Sequence, residues 1–161
     1  IFMKLPRLKF SPPSYTKLEE KAVLECIKRS WTGTGPKLLE YVRKFREYKL
    51  INYSAGFNSC TSALFLALKA LGIGKGDEVI TPPNSFIAST SVIVHLGAKP
   101  VFVDSDINTW NIDPKSIEEK ITDKTRCIRG SVFSSGPEQW VSSWGDILAE
   151  NHYFCLLLNL I

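Results

Sequence analysis

Residues 56–86, GFNSCTSALFLALKALGIGKGDEVITPPNSF, decide how the chain is read. A short polar turn (Asn58, Ser59, Cys60, Thr61) opens an apolar run whose spacing predicts a helix from about Ser59 to Leu71. The glycines of GIGKGD tolerate the left-handed backbone that ends a helix. DEVIT then reads as a strand, and Pro82 and Pro83 bend the chain towards Phe86. A helix start leaves backbone N–H groups without partners and carries partial positive charge, so hydroxyls there can hold a phosphate or a carboxylate. Asn and Ser are also ordinary caps, and on this stretch alone the cap is the simpler reading. The helix is apolar on most of its circumference, which predicts burial between two layers.

Outward from this unit the elements alternate. LINYSAG (50–56) is expected as a strand, SFIASTSVIVHLG (85–97) as a helix and PVFVD (100–104) as a strand. DPKSIEEKIT (113–122) reads as a helix with Asp113 as cap and Pro114 at its first position, followed by the strand TRCI (125–128). Strands separated by helices predict an α/β protein: three layers around a mostly parallel sheet with right-handed crossovers. In such sheets ligands sit beyond the carboxyl ends of the strands. The turns after LINYSAG and DEVIT would both face that crevice.

Towards the amino end a proline-punctuated arm leads to Thr16 and Glu19, a capping-box pair before the helical spacing of Leu18, Ala22, Val23 and Ile27. A break at SWTGTGPK precedes a second amphipathic helix, PKLLEYVRKFREY. Residues 1–30 are expected as an arm and helix, and 31–161 as an incomplete large domain. From Arg129 onward the pattern suggests a turn near Gly136, a helix over 137–150 with Trp140 and Trp144 packing at helical spacing, and a strand-like apolar end.

The 161 residues are 44% hydrophobic and carry a net charge of +4, enough for one real core and no more than a mild basic excess on helix faces. Without aromatic-basic interleaving, no nucleic-acid footprint is expected. Cys26, Cys60, Cys127 and Cys155 are far apart, with only His95 and His152 available as co-ligands, so neither a zinc site nor a disulfide framework is indicated. No signal peptide is evident, and YFCLLLNLI is too short to span a bilayer, so no membrane partner and a soluble cytoplasmic protein are expected. The only Met is Met3, behind Ile1, so the chain need not start at a natural initiator.

GIGKGD matches neither the phosphate loop nor GxGxxG and follows a helix, which makes it a turn. Asp104 and Asp106 lack a third acidic ligand and read as turn residues, and His95 as a core or surface histidine. Phe86 is different. At the ligand edge of the sheet it can stack on a planar ring, or serve as an ordinary core residue. Paired with a phosphate-holding turn, it suggests a flat phosphorylated cofactor such as pyridoxal 5'-phosphate (PLP).

Three successive motifs, WTGTGPKLLEYVRKFREY, NSCTSALFLALKALGIGKGDEVITPPNSFIAST and GAKPVFVDSDINTWNIDPKSIEEKITDKT, carry a family likeness over about residues 30–128. They resemble the PLP-dependent sugar aminotransferases of the DegT/DnrJ/StrS family. The resemblance implies the aspartate-aminotransferase fold, a homodimer with sites at the subunit interface, and transfer of an amino group from glutamate to a nucleotide-linked keto sugar. Carried over by position, it implies that Cys60 and Thr61 hold the cofactor phosphate through backbone N–H and hydroxyl. It also implies that Phe86 stacks on the pyridine ring, and that residues 31–36 lie near the dimer interface and the sugar site.

Departures from the family pattern are equally specific. The family has Gly at the position of Cys60, where a Cβ hinders close approach of backbone to phosphate. Its Val-His segment and Glu-Asp strand end, the Asp pairing with the pyridine nitrogen, are replaced here by CIRGSVFSS and CLLLNLI. The Schiff-base lysine lies further on in the family. Lys75, Lys99, Lys120 and Lys124 are expected in turns or surface helices and are no substitute for it. No catalytic residue is therefore assigned, and the chain alone is expected to be inactive. The alternatives are a non-enzymatic remnant that binds a full-length relative, and a related PLP-dependent sugar dehydratase. Loss of likeness after Ile128 with element order kept is what a reading-frame slip would produce. It predicts that another frame of the DNA downstream of the Ile128 codon encodes the Val-His segment and the Glu-Asp strand end; their absence from every frame would contradict it.

Overall fold

The computed structural model of the chain describes residues 13–132 and 154–159. Two compact units divide it, Ile1–Gly56 and Phe57–Ile161.

In the first unit α1 (Lys17–Lys28) starts where the sequence places it. Thr16 accepts from the Leu18 amide, and Glu19 reaches back to the Thr16 amide at 2.6 Å, a reciprocal capping box. Gly35 and Pro36 open α2 (Pro36–Lys49), which carries ion pairs between Arg43 and Glu47 and between Lys44 and Glu40 on its surface. Neither helix has a fully buried residue; Leu18, Val23, Ile27 and Leu39 are exposed. Two helices of this length are too few to enclose a core. They leave a largely apolar cleft of about 550 Å³ between them.

The expected strand at 50–56 is absent, and the physical reason is local. Leu50 ends α2 in the left-handed region (φ 54°), and the chain then folds back along the helix. Ser54 Oγ donates to the Val42 carbonyl at 3.1 Å, Arg46 Nη1 to the Asn52 carbonyl, and at Gly56 a Cβ would stand 2.6 Å from Leu38. Hydrogen bonds to α2 replace those a sheet would supply.

The second unit is a four-stranded sheet in the order β2-β1-β3-β4, parallel throughout. Its strands are β1 (Glu78–Thr81), β2 (Lys99–Phe102), β3 (Thr125–Val132) and β4 (Phe154–Asn159). α3 (Cys60–Ala70) precedes β1, α4 (Ala88–His95) joins β1 to β2, and α5 (Pro114–Glu118) lies between β2 and β3. The closing apolar run is a strand as its composition suggests. The expected helix over 137–150, and with it Trp140, Trp144 and His152, lies outside the described residues.

Alternation along the strands builds two cores. Val79 and Cys127, register partners, pack with Leu64 and Leu68 of α3 and Val92 and Ile93 of α4. Ile80 and Ile128, the next pair, face the other way and pack with Val103, Ile112 and Ile117 of α5. Helices on both faces make the three-layer α/β arrangement that the strand-helix alternation predicts.

Three elements differ from expectation in extent. α3 buries only Leu64 and Leu68 and leaves Leu66 exposed, because it packs against the sheet and α4 on one side only. α4 begins at Ala88 rather than Ser85, because Ser85 bonds to Ser89 and the Ser89 amide to the Phe86 carbonyl, a tight turn before the regular helix. α5 stops at Glu118, where bonds from Lys120 to Ile117 and from Ile121 to Glu118 tighten the last turn. Lys99, expected in a turn or surface helix, is the first residue of β2.

At the amino edge of the sheet Glu78 is buried and receives Lys99 Nζ at 2.9 Å and Thr122 Oγ1 at 2.8 Å. The hydrogen bond from Lys99, then that from Thr122, hold its carboxyl below the ordinary value of 4.5. A carboxyl lowered in the folded state adds stability above its unfolded value, and that stability is lost as pH falls through the folded value. Glu19, Glu40 and Asp106 are lowered in the same direction. Thermal unfolding should therefore show stability falling on acidification below 4.5. The fall should be shallower in Glu78→Gln; an unchanged profile would contradict this role for the pair.

Candidate functional site

α3 feeds β1 through the turn 71–77 and packs on the sheet through Leu64 and Leu68, so it runs against the strand direction. Its N-terminus therefore stands over the carboxyl edge, where the ligand crevice of a parallel sheet lies. The glycines behave as expected of a helix-ending turn: Gly72 and Gly76 adopt φ of +77° and +99°, and the Ile73 amide bonds the Leu68 carbonyl.

Ser59 is the N-cap, accepting from the Ser62 amide at 3.1 Å. The capping role is thus taken by Ser59 rather than by Cys60 or Thr61. Those two are the first helical residues and both are exposed. Their amides have no acceptor among the described residues. This combination, a satisfied cap with two outward-pointing amides behind it, is what an anion needs.

Phe86 lies in the loop after β1, at the same edge of the sheet, and its ring is 64% exposed rather than part of the core. The remaining candidates fall elsewhere. His95 is exposed at the end of α4. Asp106 accepts from the amides of Asn108 and Thr109, and these bonds, with Thr109's amide foremost, hold its carboxyl below the usual range. That is the turn role read from the sequence. Asp104 is likewise in this loop, its carbonyl accepting from the Asp113 amide. Among the described residues no cluster of His, Cys, Asp and Glu could hold a metal ion, and no helix is long and apolar enough to cross a membrane.

The lysines are on the wrong side. Lys75 lies in the turn before β1, Lys99 begins β2, and Lys120 and Lys124 precede β3, all at the amino ends of the strands. The sequence holds no lysine after Lys124.

One candidate residue escaped sequence reasoning. Arg129 on β3 is 1% exposed, and its Nε and Nη1 have no hydrogen-bond partner among the described residues. Burial pushes its guanidinium below the ordinary value, opposed by the sulfurs of Cys60 and then Cys127. Strand alternation gives the face on which it lies. Arg129 is one residue beyond the Ile80–Ile128 pair and so returns to the α3 face. Thr81, one residue beyond on β1, is also buried with an unpartnered hydroxyl. The signal available in the sequence was parity: counting from Cys127, Arg129 falls on the same face.

The fold defines the class. The Streptococcus pneumoniae protein Spr1654, solved in PLP and PMP forms, superposes on the chain with a TM-score of 0.74 for its PMP form, at 40% identity. That superposition covers 77% of this chain and 31% of the other. The sheet and helices are thus part of the fold seen in PLP-dependent aminotransferases. The profile of the DegT/DnrJ/EryC1/StrS aminotransferase family matches residues 13–147, and the chain belongs to that family. The match continues past Ile128. The chain is 44% identical over 121 residues to the spore coat polysaccharide biosynthesis protein SpsC of Bacillus subtilis (strain 168), covering 75% of this chain and 31% of SpsC. It is 44% identical over 117 residues to the GDP-perosamine synthase of Escherichia coli O157:H7, covering 72% of this chain and 32% of the synthase. The chain thus spans about a third of the length of these relatives.

Proposed function

We propose that the chain carries the cofactor-phosphate part of a PLP-dependent sugar aminotransferase whose intact form moves an amino group from glutamate to a nucleotide-linked keto sugar. The observation that carries this reading is the start of α3: Ser59 caps the helix, and the amides of Cys60 and Thr61 remain open at the carboxyl edge of a parallel sheet. Names among the relatives, a GDP-perosamine synthase and a polysaccharide biosynthesis protein, support a nucleotide-linked sugar as the acceptor.

The residues fit the phosphate end of the cofactor. Cys60 and Thr61 bind it through backbone N–H groups, and Thr61 adds its hydroxyl. The buried guanidinium of Arg129, whose Nε and Nη1 have no partner among the described residues, lies on the α3 face of the sheet level with the end of β1, which supports a negative charge at this edge. Phe86, exposed on the same edge, covers one face of the pyridine ring. When bound, PLP supplies the electron sink for transfer of the amino group. What these residues contribute is binding and orientation: the helix fixes the phosphate, and the aromatic ring fixes the plane.

Proton transfer is not among their tasks. Lys75, Lys99, Lys120 and Lys124 stand at the opposite edge of the sheet, and no Glu-Asp pair occurs in the sequence. The 161-residue chain alone therefore binds cofactor without a covalent bond and does not transaminate. In the intact enzyme, a homodimer, the lysine and the aspartate come from residues outside this chain.

Borohydride reduction of the full chain incubated with PLP, followed by peptide mapping, tests this directly. No pyridoxyl-lysine should be found; a single stoichiometric adduct on any lysine, with transaminase activity, would contradict the proposal.

A further inference from the structure

Arg129 is the one fully buried charged side chain of the second unit with no ion pair or hydrogen bond to its Nε and Nη1 among the described residues. Glu78, the other buried charge there, has two partners. A buried guanidinium without a counter-charge is costly, because the desolvation penalty is not offset. Arg129 has nowhere to go: it is fixed in β3 between Ile128, sealed in one core, and a register with β4. By parity Arg129 shares with Cys127 the face on which Leu64 and Leu68 of α3 pack, and one residue beyond the Ile80–Ile128 pair it stands level with Thr81, the last residue of β1. The guanidinium and the positive end of an 11-residue helix are therefore on one face at one edge of the sheet, together with the open amides of Cys60 and Thr61. On the adjacent strand Thr81, by alternation, brings a buried hydroxyl without a partner among the described residues to the same side of the sheet. All of these groups can donate hydrogen bonds, and two of them bring positive charge.

We infer that Arg129 is a binding residue for a phosphomonoester dianion, its guanidinium closing from the sheet side the cradle that the start of α3 opens. This rests on the proposed phosphate site at α3 and adds to it a charged ligand that no lysine could replace. The planar fork of the guanidinium presents two donors to two phosphate oxygens, while the helix supplies the donors to the third. The arrangement also explains why an unpaired charge is kept in a core position: it is paired only when the anion is present.

Two opposite effects on one variant distinguish this role from a purely structural one. Arg129→Met removes an uncompensated buried charge, so without ligand it should unfold at higher temperature than wild type. With inorganic phosphate the order should narrow or reverse, because wild type gains stability by binding and the variant gains far less. Titration of the full chain with inorganic phosphate, followed by the amide NMR signals of Cys60 and Thr61, should show binding about 30-fold weaker in Arg129→Met. Arg129→Gln, which keeps one donor group, should lie between the two. Equal phosphate affinity in wild type and both variants, with the Cys60 and Thr61 amides still shifting, would overturn the role of Arg129 and leave the α3 cradle standing. Failure of phosphate to shift those amides even in wild type would overturn both.

Discussion

A parallel strand pair has to be joined by a crossover, and that requirement sends each helix back against the direction of its strands. In this chain α4 obeys it between β1 and β2, and α3, which no described strand precedes, takes the same direction because it feeds β1 through the turn 71–77 while Leu64 and Leu68 pack on the sheet, so its positive end lies at the carboxyl edge. The rest of the site depends on that placement. Ser59 satisfies one orphan amide as a cap, and the amides of Cys60 and Thr61 are left without an acceptor among the described residues. Phe86 reaches the same edge because β1 ends at Thr81 and two prolines turn the chain. Lys75, Lys120 and Lys124 occupy the segments that feed the strands and Lys99 begins β2, so these four sit at the opposite edge.

The two-residue period of the strands is the second constraint. It divides Val79 and Cys127 from Ile80 and Ile128, giving a core under α3 and α4 and another under α5. One step further the same period places Thr81 and Arg129 under the start of α3, where apolar packing gives way to unpartnered polar groups. The boundary between core and site thus falls between consecutive residues of β1 and β3. Cores tolerate such groups when a ligand completes their hydrogen bonding, so under the proposed phosphate site the stability of this edge depends on occupancy.

Much of this was legible because it is local. Thr16 with Glu19, Gly35 with Pro36, and Asp113 with Pro114 announce helix starts through contacts within four residues, and the structure places each helix there. The sheet's parallel character follows from element order alone. What was not legible depends on distant partners. The strand expected at 50–56 has suitable residues, but Ser54 and Asn52 found α2 first. α3 is apolar nearly all round, yet which of its faces is covered depends on what packs there, and only Leu64 and Leu68 are sealed. Phe86 and the turn at Cys60 were visible as motifs. Arg129 was not, since its meaning comes from register with β1 and proximity to α3, neither of which is written in its immediate neighbours.

The central claim is that the start of α3 is the phosphate end of a cofactor site. Hydrogen exchange of the full chain with and without PLP reads it most directly, residue by residue. Protection gained at the amides of Cys60 and Thr61 in the presence of PLP, and absent with pyridoxal, which lacks the phosphate, is the result this account predicts. Protection that is equal with both compounds, or that appears elsewhere with these two amides unchanged, would contradict it.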